Sequence, residues 1–109
     1  MTELPTVRIA AIQATPVILD AEACIDKAIA LLHRAADDGA QLAVLPETFV
    51  SLYPSNSWAR SAAGFAGWDD FWEAFWLNSV DVPGPLVDRL AETCRNRDLH
   101  CVIDRKSVV

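Results

Sequence analysis

The 109-residue sequence has no CxxC pair, no surplus of basic residues, no apolar run long enough to cross a bilayer, and no repeat or biased tract. Each absence excludes something. The net charge is −6 and the acidic residues are spread along the chain. Nucleic acid and anionic membrane surfaces, which both favour a basic face, are therefore not expected partners. Cys24, Cys94 and Cys101 form an odd set without redox or zinc spacing. They are expected to be the reduced thiols of a cytoplasmic protein. The opening "MTELPT" has neither the basic nor the apolar region of a secretory leader. His33 and His100 have no partner at ligand spacing, so no metal site is proposed and no cofactor is implied. What remains is globular in composition, at 52% hydrophobic and 22% charged, and short enough for one domain at most.

The pattern along the chain alternates strand and helix. "VRIAAIQA" (7–14) is a short apolar run between Pro5 and Pro16 and reads as a buried strand. Asp20 offers an N-cap and Glu22 suits the first turn. Cys24, Ile25, Ala28, Ile29, Leu32, Ala35 and Ala36 follow at helical spacing, and Gly39 supplies the stop. His33, in the last turns of this helix, would suit its negative end as a cation. "QLAVL" (41–45) is a second strand, and strand–helix–strand at this length predicts parallel pairing. Residues 50–67 read as loop. A helix is expected over 69–79, capped by Asp69 or Asp70, with Phe71, Trp72, Phe75 and Trp76 on one face as core or subunit interface. Pro85 begins another helix, reaching roughly Asn96, and "LHCVI" (99–103) is a third strand. The order predicts an α/β sheet covered by helices.

Pro46 closes the second strand because it has no ladder donor, and a carboxylate, Glu47, follows at once. The carboxyl edge of a parallel sheet is where such folds gather ligand-binding groups, although a lone carboxylate there is more often a solvated loop residue.

The surrounding residues add a resemblance. "LAVLPETFVSLYP" (42–54), with "VRIAAIQATPV" and "DDGAQ" before it, resembles the nitrilase branch of the carbon–nitrogen hydrolase superfamily. The likeness runs through "SNSWARSAAGFAGWDDFWEAFWLNSVDVPGPLVDRLAE" to "RDLHCVI". It covers residues 7–103 and is greatest to bacterial nitrilases of aromatic or arylaliphatic nitriles. It implies the N-terminal part of a four-layer α-β-β-α sandwich, of which this chain supplies about three strands. It also implies that Glu47 is the catalytic glutamate. In the family's mechanism such a glutamate activates a cysteine, which attacks the nitrile carbon to give a thioimidate. Water then releases acid and ammonia, while a lysine stabilises the tetrahedral intermediates. An ordinary Glu pKa lies about four units below that of a thiol, so burial in an apolar pocket is expected to raise it.

The resemblance places the lysine and cysteine of the triad further along than these 109 residues. Cys24, Cys94 and Cys101 read as small buried apolar residues, and Lys27 and Lys106 do not match the family lysine. Tyr53 and Trp58 either line a pocket for an apolar nitrile or pack within the loop. The tail 104–109, "DRKSVV", departs from the family pattern, which continues with a glycine; a truncation or a change of frame after Ile103 is the expectation. Self-association of the complete protein is expected too. Two rivals remain: an amidase-type hydrolase of the same superfamily, and a non-catalytic fragment or assembly module.

Overall fold

The computed structural model describes residues 3–50 and 57–104. Its elements run β1 (Ile9–Ala11), α1 (Ala21–Asp37), β2 (Leu42–Val44), α2 (Ser57–Ala62), α3 (Trp68–Leu77), α4 (Pro85–Asn96) and β3 (His100–Val102). The strands form a parallel sheet in the order β1-β2-β3, with Ala10, Ala43 and Cys101 aligned across it. The fold is α/β, as the order of the segments predicts.

The helix α1 forms where its cap, stripe and stop agree. The Asp20 carboxylate accepts the Ala23 N–H at 2.9 Å, and Glu22 lies in the first turn. Cys24, Ile25, Ala28, Leu32 and Ala35 are buried on one side. Gly39, at φ +87°, takes the left-handed turn that ends the helix. Pro85 is the first residue of α4, as its fixed φ favours, and α4 packs against α1 over one face of the sheet. Two ion pairs, Arg89 to Asp26 and Arg97 to Asp37, join these helices at an exposed rim, where their contribution is small.

Several expectations are corrected. β1 is not buried: it is an edge strand, and Ile9 is 57% exposed. The helices cover only the face carrying Ala10, Ala43 and Cys101; on the other face Ile9 and Val102 meet solvent. Each strand is three residues long, shorter than the apolar runs suggest. The ladder extends only slightly beyond them, through Ile12 N–H to Val44 O and Leu45 N–H to Val102 O. Past Ile12 the chain leaves for α1, and Lys27 Nζ donates to Thr15 O at 2.6 Å.

Residues 57–62 are helical rather than loop. Six residues are too few to show a periodic stripe, but Ala59 is buried and packs with Phe71 of α3. The cap of α3 is Gly67; Asp69 and Asp70 sit inside the first turn, where the positive helix end favours them. The aromatic stripe of α3 divides. Phe71 and Phe75 are buried, whereas Trp72 and Trp76, one position further round, are 45% and 58% exposed. Arg97, the residue that caps α4, brings its Nη1 to 2.9 Å from His33 Nδ1 on α1. Among the described residues no helix is long and apolar enough to cross a membrane.

Candidate active site

The carboxyl edge of the sheet is built by the ends of β2 and β3. Leu45 makes the last ladder bond of β2, to Val102 O at 3.0 Å, and Pro46 has no N–H with which to continue. The chain then turns at Glu47 and Thr48. Thr48 has φ +45°, the left-handed region that β-branched residues rarely enter. It is 2% exposed, and its N–H donates to Asp104 Oδ2 at 3.1 Å. The Thr48 hydroxyl is buried and finds no hydrogen-bond partner among the described residues. Phe49 and Val50 follow, both buried in the main core. The turn therefore drives Thr48, Phe49 and Val50 inward and leaves the Glu47 side chain exposed at the sheet edge.

Among the described residues Glu47 is exposed and not set in an apolar pocket, because the turn directs the residues after it, not the carboxylate itself, into the core. An apolar cavity of about 260 Å³ does open at the same edge, lined by Val50, Val80, Val87, Leu90, Ile103 and Asp104 among others. Asp104 is thus shared between the cavity wall and the Glu47–Thr48 turn. The sequence reading missed this role and took Asp104 for the start of an atypical tail. Its position directly after the β3 run, on the same edge as Glu47, is the signal that could have found it. Tyr53 lies outside the described residues. Trp58 falls on α2, but its side chain is also outside them.

The thiols are placed as core residues. Cys24 Sγ donates to Val17 O at 3.0 Å, and burial pushes its pKa up. Burial also raises Cys94, on α4. Cys101, on β3, is pushed up to about 12, chiefly by burial and further by the neighbouring Cys94. A thiol attacks as its thiolate, so all three are poorly suited to nucleophilic work at neutral pH. Lys27, on α1, is held on Thr15 O.

The shift at Cys101 has a measurable consequence. Its folded pKa lies above the ordinary thiol value of 9.0. The stability linked to it is therefore complete below pH 9.0 and is lost as pH rises towards about 12. Cys101→Ala should show a shallower alkaline loss of stability than the parent chain when unfolding is followed from pH 8 to 11. Equal slopes would mean that Cys101 is not buried in its protonated form.

Among the described residues no group of three or more His, Cys, Asp or Glu is placed to hold a metal ion.

Comparison with known proteins follows the same segments. Residues 8–104 match the carbon–nitrogen hydrolase family. A bifunctional nitrilase/nitrile hydratase of Nicotiana tabacum is 43% identical over 102 residues, covering 91% of this chain and 29% of the relative. A nitrilase of Bacillus sp. (strain OxB-1) is 35% identical over 106 residues, covering 94% of this chain and 29% of the relative. An aliphatic nitrilase of Rhodococcus rhodochrous is 34% identical over 98 residues, covering 90% and 26%. The chain thus spans less than a third of the length of these relatives. A match over nearly all of its residues, on a parallel α/β frame with a carboxylate at the sheet edge, shows that this chain belongs to the carbon–nitrogen hydrolase family, among sequences of nitrilase type.

Proposed function

We propose that residues 1–104 form the part of a nitrilase-type hydrolase that presents the general base, and that Glu47 is that base. The observation that supports this most is the Glu47–Thr48 turn. It places a carboxylate at the carboxyl edge of a parallel sheet, after a proline that ends the strand, in a chain of the nitrilase type. In this reading Glu47 takes the proton of a cysteine thiol supplied by chain beyond these residues. The thiolate adds to the nitrile carbon to form a thioimidate, and water releases carboxylic acid and ammonia. The exposure of Glu47 here fits a group that further protein would cover and desolvate, raising its basicity towards that of the thiol.

A second reading applies to the 109 residues taken alone. Of their thiols Cys24 is buried and Cys94 and Cys101 are half-buried, and burial raises the pKa of each. By itself this polypeptide is then a non-catalytic fragment or assembly module.

The test is a chimera in which residues 1–104 replace the matching segment of the full-length Bacillus nitrilase. Ammonia release from benzonitrile or phenylacetonitrile supports the proposal. A folded chimera that hydrolyses only the corresponding amides would favour the amidase-type alternative instead.

A further inference from the structure

We infer that Asp104 is a positioning residue for Glu47, acting through the backbone of the Glu47–Thr48 turn; this rests on the reading of Glu47 as the base. The turn contains a β-branched residue at φ +45°, a conformation that local preferences oppose. Something non-local has to hold it. Among the described residues the buried Thr48 hydroxyl has no hydrogen-bond partner. The buried Phe49 and Val50 fix the chain on the far side of the turn but not the peptide plane itself. The bond that reaches this plane is Thr48 N–H to Asp104 Oδ2, at 3.1 Å, between residues 56 apart in sequence.

The sheet explains why the two residues meet. β2 and β3 are parallel neighbours with Val44 opposite Val102, and Leu45 N–H reaches Val102 O. Their carboxyl ends therefore emerge side by side, with Pro46–Thr48 leaving one strand and Ile103–Asp104 the other. The bonded amide belongs to the peptide that joins Glu47 to Thr48, so holding that plane holds the direction in which the Glu47 side chain leaves the backbone. An ionised carboxylate accepting a partly buried N–H makes a stronger bond than a neutral acceptor does. Asp104 does not need to touch substrate; its oxygen is already engaged with the backbone. Its value lies in keeping a base within the narrow range of positions where proton transfer is efficient.

The experiment is amide-resolved hydrogen exchange of the chimera, comparing the parent with Asp104→Ala and Asp104→Asn. The Thr48 amide should exchange about tenfold faster or more in Asp104→Ala, and much less so in Asp104→Asn, which keeps an acceptor of the same shape. The Leu45 amide, bonded to Val102 O, should be unchanged. Unchanged Thr48 exchange in Asp104→Ala overturns the inference. So does equal acceleration at Leu45, which would mark general loosening. In the chimera, Asp104→Ala should lower kcat on the order of tenfold with little change in KM, and Asp104→Asn should restore most of it. Loss of Thr48 protection with kcat intact would leave the latch structural and overturn positioning. Failure of the Glu47 reading shows up separately, as full turnover in Glu47→Gln with the Asp104 exchange effects unaltered.

Discussion

The 109-residue polypeptide by itself should release no ammonia from benzonitrile or phenylacetonitrile above the buffer rate. A covalent route needs a thiolate, and burial raises the pKa of all three thiols, that of Cys101 to about 12. Cys24 is in addition tied to the Val17 backbone on the helical side of the sheet. Glu47 alone could at best activate water, which is a far poorer nucleophile than a thiolate held in place. The same polypeptide should bind hydrophobic dye and self-associate. Parallel sheets are ordinarily covered on both faces, yet Ile9 and Val102 lie open on one face of this sheet, as do Trp72 and Trp76 on α3. Ammonia release that Glu47→Gln abolishes would contradict the first expectation. A sharp melt from a clean, dye-free monomer would contradict the second.

Replacing Glu47 by Gln in the chimera should cut turnover by at least about 10²-fold, the low end for loss of a general base. Glutamine keeps the volume and much of the hydrogen bonding but cannot accept the thiol proton. Stability should not fall, because glutamine carries no charge to desolvate where further protein covers the site, and the restraints on the turn lie elsewhere. Those restraints are the Asp104 bond, the buried Phe49 and Val50, and Pro46. Glu47→Asp should also be slow. One methylene of retreat takes the carboxylate out of reach of the thiol while leaving its charge in place. An uninvolved loop carboxylate would leave both variants near the parent rate, so kcat and the thermal midpoint of each variant decide between the two.

Much of this arrangement could be read locally. Asp20 and Gly39 marked the ends of α1, Pro85 marked the first residue of α4, and Pro46 marked the end of β2 and so the place of Glu47. These are signals carried by a residue's own backbone preferences and side-chain donors, and they survive without knowledge of the rest of the fold. The misses needed information from elsewhere in the chain. α2 is too short for periodicity, and its buried Ala59 is explained only by Phe71 on the next helix. The stripe on α3 gave a helical face but not its breadth, so Trp72 and Trp76 were grouped with Phe71 and Phe75. Thr48 in a left-handed conformation runs against its residue type, and the Asp104 carboxylate that holds it lies 56 positions away.

The most direct test of Glu47 as the base is the rate at which the covalent adduct forms in a single turnover of the chimera. The adduct is detected by intact mass after rapid quenching with phenylacetonitrile. If Glu47 takes the thiol proton, the step it serves is the first one, so Glu47→Gln should form the adduct at least about 10²-fold more slowly than the parent chimera. Adduct formation at the parent rate in Glu47→Gln, with its thermal midpoint unchanged, would contradict the assignment.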